Sequence, residues 1–169
     1  MPRKSRRRFY WASLPDEELL QLRLKDLNLR LEGTWLESCL RDLHTELAER
    51  GLRIAPHAWI SNEWFSPEDS PGIAIPFYLA HPRLMRLERK MIIDVEGGSV
   101  PECMRILRHE AGHALQVSFQ LHRRRRWQEL FGRSSTRYPD YYRPNPASQL
   151  RMSSLSVPLA TSKRPPPRS

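Results

Sequence analysis

The amino-acid sequence predicts an α+β fold in which helices pack on a small sheet. Two short segments, 53–61 and 73–79, are alternating or β-prone, which is the pattern of strands. Elsewhere the apolar residues repeat every three or four positions, which is the pattern of helices with one buried face. The clearest repeat lies after both strands, between Ser99 and Ser118, and we expect it to form a central helix.

Three further helices are expected around this core. The first runs from Ser13 to Asp26, with Ser13 as its N-cap and several leucines along it. The second begins at Thr34 and is closed by Gly51, and the third covers 82–91.

Each predicted strand contains a proline, which removes a backbone donor: Pro56 favours an edge position or a bulge, and Pro76 favours an edge position. An ordinary edge strand accounts for the segment 73–79. An edge beside the central helix is also a place where an extended peptide can pair through its backbone.

The central helix begins with local capping patterns. Ser99 and Glu102 are spaced as a capping box, in which each side chain accepts from the backbone N–H of the other residue. Pro101 falls in the first turn, where its missing N–H costs nothing. The residues expected on the buried face are Met104, Leu107, Ala111, Ala114, Leu115 and Ser118.

The central helix carries the pattern H-E-x-x-H at 109–113. Residues four apart lie on one helix face, so His109 and His113 can turn two imidazole nitrogens toward one metal ion. Zinc suits such a pair, with bonds of about 2.0 to 2.1 Å per nitrogen. Glu110 projects about 100° round the helix from His109, which favours a general base over a ligand. The plainer interpretation is two exposed histidines and a solvated glutamate on an ordinary helix.

Gly112 lies between the two histidines and costs about 1 kcal/mol of helix stability relative to alanine. A position without a side chain allows close approach of another backbone or of a substrate. A packing contact explains the glycine equally well.

The chain is strongly basic, with 28 Lys and Arg against 19 Asp and Glu and a net charge of +9. Two runs stand out, 3–8 and 123–126, and the second leads into a helical piece that ends at Gly132. Either run suits phosphates or an acidic partner. Because neither run is interleaved with aromatic residues, a solvated tail and an exposed helix face are favoured over nucleic-acid binding.

The sequence contains no apolar stretch of signal-peptide or membrane-spanning length, so no membrane partner is expected. Cys39 and Cys103 form no C-x-x-C pair, which indicates half-buried thiols in a reducing compartment, the cytoplasm. We place one domain at 9–146 and a disordered tail at 147–169, because the tail lacks acidic residues, aromatic residues and periodicity.

Five stretches of the chain carry a likeness to a known family: 14–20 (LPDEELL), 32–37 (EGTWLE), 71–82 (PGIAIPFYLAHP), 104–110 (MRILRHE) and 139–144 (PDYYRP). In this order they resemble the bacterial zinc-binding metallopeptidases of the zincin type, whose substrates are not well defined. The similarity covers residues 6–146.

This resemblance implies a zincin-like fold with His109 and His113 as zinc ligands and Glu110 as the catalytic residue. Family members are longer and continue into an acidic helical segment that is expected to supply a glutamate as the third ligand. The segment 147–169 resembles no such helix, so we interpret the C-terminus as truncated or frame-shifted. A catalytic zinc needs three protein ligands, and we therefore expect weak zinc binding and little or no peptidase activity.

Three residues inside the chain are alternative third ligands: His122, Glu129 and Asp140. His122 does not fit the spacing of the third histidine in the longer H-E-x-x-H-x-x-G-x-x-H motif. Glu129 reaches back only if the helix breaks near the arginine run, and Asp140 lies in a predicted loop with the fewest steric restrictions.

Two functions follow from these patterns. The first is a zinc-dependent peptidase acting on a peptide or protein substrate, with a loop tyrosine, Tyr138, Tyr141 or Tyr142, as a hydrogen-bond donor to the oxyanion. The alternative is a non-enzymatic basic remnant, or a module whose arginine runs bind nucleic acid. A steep salt dependence of nucleic-acid binding without zinc would favour the alternative.

Overall fold

A computed structural model of the chain describes residues 9–92 and 94–133. These residues combine helices with a two-stranded sheet, which confirms the α+β prediction. The predicted domain boundary at 146 and the predicted tail 147–169 lie outside the described residues. In chain order the elements are α1 (Asp16–Leu19), α2 (Trp35–Glu49), β1 (His57–Ser61), β2 (Gly72–Pro76), α3 (Pro82–Met91), α4 (Val100–Ser118) and α5 (Arg125–Phe131).

The predicted first helix, from Ser13 to Asp26, is wrong. Only the single turn of α1 is α-helical in this region, and 3-10 turns lie on both sides of it. Ser13 closes the first of these turns, because its Oγ donates to the Tyr10 carbonyl at 3.1 Å. The Trp11 indole N–H donates to the Leu27 carbonyl at 3.0 Å, and this bond fixes a chain reversal that one straight helix would not allow.

The leucines of this N-terminal segment form a small core of their own. Trp11, Leu19 and Leu27 pack against Leu84 and Leu87 on α3, and all five side chains are buried. Burial of this apolar surface against α3 therefore decides the local conformation, and it outweighs the helical spacing of the leucines.

The second predicted helix is confirmed as α2, although its caps differ from the prediction. Thr34 lies at the N-cap, but its Oγ1 donates to the Leu31 carbonyl at 2.6 Å and caps no helical N–H. Gly51 has a φ of +72°, and the Leu52 N–H bonds the Leu47 carbonyl at 2.9 Å. This closing pattern needs a residue that tolerates a positive φ, which is why a glycine ends the helix.

The two strands pair in parallel, with His57 opposite Gly72 at one end and Ser61 opposite Pro76 at the other. The strand predicted at 73–79 is shorter than expected, because the chain turns into a 3-10 helix directly after Pro76. All five residues of β2 are buried. The Ala74 N–H also donates to the Phe65 carbonyl at 2.8 Å, so the connector between the strands occupies part of the edge that we expected to be free.

The third predicted helix is confirmed as α3, and His81 caps it by accepting the Arg83 N–H on Nδ1 at 3.1 Å. The central helix is confirmed as α4. The predicted capping box is not formed, since the Ser99 side chain makes no cap hydrogen bond. The Glu102 carboxylate lies instead 3.9 Å from the guanidinium of Arg105.

The main core lies between α2, β2 and α4. Three residues of α4 that the sequence did not place on its buried face are buried, and the expected Ser118 is exposed. These three are Cys103, Ile106 and Glu110. The buried side chains of this core are Leu36, Cys39, Leu43, Leu47, Ile73, Ile75, Leu79, Ala80, Val95, Cys103, Met104, Leu107 and Ala111.

Within the described part of the chain, no helix combines the length and the apolar character that crossing a membrane would require.

Candidate metal centre

The two motif histidines lie one turn apart on the exposed side of α4. Their Nε2 atoms are 3.3 Å apart, and their rings meet edge to face with centroids 4.9 Å apart. Both side chains are exposed to solvent. The four-residue spacing therefore brings two imidazole nitrogens to one point on an accessible surface.

This separation can be compared with the requirement of a metal. Two nitrogens bound tetrahedrally to one zinc ion at the usual bond lengths lie about 3.3 to 3.4 Å apart. The Nε2 atoms of His109 and His113 meet this distance without a change of rotamer. Without a metal, the same geometry is satisfied by one N–H donated from ring to ring. The pair thus fits two corners of a zinc tetrahedron.

Unlike the two exposed histidines, Glu110 is buried, and at 8% exposure it is the one buried charged residue in the described ranges. Its backbone carbonyl accepts a hydrogen bond from the Ser66 hydroxyl at 3.1 Å. Ser66 belongs to the connector between the strands, directly after Phe65, which pairs with β2. The connector therefore lies against α4 at the motif and restricts the position of Glu110.

Within the described part of the chain, no third ligand lies at the histidine pair. Among residues 9–92 and 94–133, no group of three His, Cys, Asp or Glu side chains is placed to hold a metal ion. Glu129 is bound to Arg125 at 2.8 Å, and His122 lies in a separate 3-10 turn. Asp140 lies outside the described residues, and so do the three loop tyrosines predicted as oxyanion donors.

The remaining sequence narrows the choice of third ligand. Outside the described ranges the chain contains no histidine, no cysteine and no glutamate, and its one aspartate is Asp140. Asp140 is thus the one residue of these types left outside the described ranges that could join the histidine pair.

An ion pair that the sequence did not reveal connects the middle of α4, next to the motif, to α2. The Arg108 guanidinium donates hydrogen bonds to both carboxylate oxygens of Glu46, from Nε to Oε2 at 2.7 Å and from Nη2 to Oε1 at 2.6 Å. This hydrogen-bonded guanidinium lowers the pKa of Glu46 below its ordinary value. No local pattern could have indicated the pair, because its members are 62 residues apart. It fixes the helix one residue before His109.

The two cysteines do not belong to the metal centre. Cys39 on α2 and Cys103 on α4 are 2% and 0% exposed, so the prediction of half-buried thiols is wrong. Burial raises the pKa of both thiols, most strongly for Cys103. Metal binding needs the thiolate, and this environment suppresses it.

Gly112 lies on the same exposed side of α4 as the histidines. Among the described residues, a Cβ built at this position meets no atom within 4 Å. No packing contact within the described ranges therefore accounts for Gly112. Among the described residues, no contact compensates for the helix stability that this glycine costs next to the histidine pair.

Comparisons of the chain with models of protein families, with curated proteins and with solved structures give no match.

Proposed function

We propose that this chain is a zincin-like domain of a zinc-dependent peptidase, with His109 and His113 as metal ligands and Glu110 as the general base. The observation that supports it best is the 3.3 Å separation of the two Nε2 atoms, which suits zinc. The open space at Gly112 adds to it, because a glycine that costs stability on the histidine side leaves room for a substrate.

In this proposal the residues of α4 have separate tasks. When bound, zinc supplies Lewis acidity that polarises a substrate carbonyl and activates a water molecule near pH 7. His109 and His113 hold the ion through Nε2. Glu110 takes the proton of the attacking water on its carboxylate and passes it to the leaving amine. The Ser66 hydroxyl bonds the backbone carbonyl of Glu110, which holds this turn of α4 against the connector.

The peptidase activity that we expect depends on the number of protein ligands that hold the zinc ion. Two histidines alone bind zinc weakly, and a catalytic site needs a third protein ligand. If Asp140 is that ligand, the chain binds zinc stoichiometrically and can hydrolyse peptides. If the third ligand lies outside these 169 residues, the chain keeps weak zinc binding and shows little or no hydrolysis.

The test of the metal site is zinc stoichiometry after removal of metal with a chelator and reloading. At saturating zinc we expect the parent to take up one zinc ion per chain, and His109→Ala and His113→Ala to lose it. His57→Ala is the matched control, since His57 is exposed on β1 and belongs to no predicted site. Equal zinc content in His113→Ala and the parent would exclude the site.

The test of the third ligand uses Asp140→Asn beside His122→Ala. Loss of zinc affinity in Asp140→Asn alone would assign the ligand to Asp140. Loss in His122→Ala would contradict the structure, which keeps His122 apart from the pair. Unchanged affinity in both variants would place the ligand outside the chain.

The test of activity is digestion of a peptide library at neutral pH with added zinc. Glu110→Gln is the control, because it keeps the shape of the side chain and the two histidines but removes the base. We expect cleavage to be absent or very low in the parent. Cleavage that persists in Glu110→Gln would exclude Glu110 as the catalytic residue.

A further inference from the structure

A basic and apolar surface follows α4 in the chain. We call it the α5 surface, and it consists of the four arginines at 123–126 together with Trp127, Leu130 and Phe131. All four arginines are exposed. Two of them have polar side-chain contacts in the described residues, Arg123 with Gln120 and Arg125 with Glu129.

The apolar members of the α5 surface share one side of the helix. Trp127, Leu130 and Phe131 are spaced three and four residues apart, and the rings of Trp127 and Phe131 pack with centroids 4.3 Å apart. Leu130 is 46% exposed and Phe131 is 59% exposed. Gln128 bonds the His122 carbonyl with its side chain, so a different side of α5 faces the preceding turn. Leu130 and Phe131 are therefore presented outward, beside the half-buried Trp127.

When no partner is bound, the positive charges of the α5 surface repel one another and destabilise it. The arginines gather at the N-terminal end of α5, where the partial charge of the helix is already positive. Neighbouring guanidinium groups also repel one another, and Glu129 neutralises only Arg125 in the described structure. Contact with a negatively charged surface would relieve this repulsion.

We propose that the α5 surface binds anionic phospholipid membranes, with α5 lying in the plane of the interface. The arginines contact the lipid phosphates, while Leu130 and Phe131 enter the boundary of the acyl chains. Nucleic acid offers the same phosphates, but it offers no apolar phase for these two exposed side chains. This inference departs from the expectation of no membrane partner, which was based on the lack of an apolar stretch of signal-peptide or membrane-spanning length. It goes beyond the proposed peptidase and does not depend on its zinc site.

The full chain is tested by sedimentation with vesicles. We expect binding to phosphatidylcholine vesicles that contain about 30% phosphatidylglycerol, and little binding to phosphatidylcholine alone. Binding should weaken markedly between about 0.1 M and about 0.5 M NaCl, because salt screens the contact with phosphates. Equal binding to both kinds of vesicle, or none to either, would overturn the proposal.

The charge requirement is tested with Arg124→Gln/Arg126→Gln. We expect roughly thirtyfold weaker binding, since each basic residue near an anionic surface contributes about a factor of five. The matched control is Arg30→Gln/Arg89→Gln, which removes the same charge from exposed positions elsewhere. An equal loss in both variants would mean that net charge alone drives binding, and it would overturn the assignment to α5.

The apolar requirement is tested with Leu130→Ser/Phe131→Ser, both at exposed positions, so that circular dichroism and melting should stay unchanged. We expect at least about tenfold weaker binding to anionic vesicles. Leu20→Ser/Met91→Ser is the matched control, because these side chains are 50% and 62% exposed elsewhere. Unchanged vesicle binding in Leu130→Ser/Phe131→Ser would overturn the membrane proposal.

Insertion of α5 into the membrane is measured by the quenching of Trp127 fluorescence. Lipids brominated in the acyl chain should quench tryptophan emission in the parent, and Trp127→Phe should lose most of this quenching. Quenching that is the same in both proteins would show that α5 does not enter the membrane. Tight binding to nucleic acid with no quenching by the lipids would assign the arginines to the competing partner.

Discussion

The two sides of α4 differ in what surrounds them. On the inner side Cys103, Leu107 and Ala114 are fully buried against α2 and β2. On the outer side His109 and His113 are exposed, with their Nε2 atoms 3.3 Å apart. One helix therefore carries buried residues that hold the fold and exposed residues that are suited to bind a metal. Stability and metal binding should respond to different substitutions.

Glu110 stands between these two groups. It belongs to the metal motif by sequence, but its side chain is buried at 8% exposure. Burying a carboxyl side chain costs stability unless the group is hydrogen-bonded or paired. Glu110 is therefore the motif residue that belongs to the buried side of α4.

The largest effect on stability is expected from truncating a buried side chain on the inner side of α4. Leu107→Ala removes a fully buried side chain from the main core, and we expect the free energy of unfolding to fall by about 2 to 5 kcal/mol. Urea denaturation measures it. Val100→Ala is the control, since Val100 is 54% exposed on the same helix and should change stability by less than about 0.5 kcal/mol. A similar effect in both variants would contradict the packing of α4.

A smaller effect is expected from the metal on the outer side. Zinc at about ten times its dissociation constant should stabilise the parent by about 1.4 kcal/mol, because it binds only the folded site. His113→Ala should lose this gain and keep the stability of the metal-free parent within about 0.5 kcal/mol. Thermal melts with zinc and with a chelator measure both quantities. A zinc-dependent gain that survives in His113→Ala would show that the metal binds elsewhere.

Gly112→Ala should raise stability by about 0.5 to 1 kcal/mol, since alanine is the better helix residue and nothing lies within 4 Å of the new Cβ. Zinc content should stay the same. Gly72→Ala is the opposite control, because its Cβ would lie 2.5 Å from the Trp59 ring and should destabilise the sheet. Destabilisation by Gly112→Ala would reveal a packing partner on the outer side.

The smallest effect is expected at the Arg108–Glu46 pair, where the side chains are 52% and 28% exposed. Glu46→Gln should cost less than about 1 kcal/mol at neutral pH. The pKa of Glu46 is lowered in the fold, so its contribution is present above the unfolded pKa of about 4.3 and is lost as the pH falls through the lower folded value. Denaturation of parent and variant at pH 7 and pH 3 should therefore show a difference that shrinks in acid. A difference that grows in acid would contradict the ion pair.

The helices α2, α3 and α4 could be predicted from the sequence, because apolar spacing and terminal glycine or proline act within a few residues. The N-terminal segment could not be predicted in this way. Its leucines fit a helix, but the hydrogen bond from Trp11 to Leu27 and burial against α3 impose short turns. The parallel pairing of β1 with β2 also depends on contacts between distant segments.

The sequence by itself determined that His109 and His113 meet, since a four-residue spacing on a helix is a local property of the chain. Only the tertiary structure decided that the pair faces solvent, that Glu110 is buried, and that no described residue completes the ligand set. It also decided that Phe65 covers part of the β2 edge. The physical reason is that exposure and ligand number depend on which remote segments pack against α4, and local spacing carries no information about them.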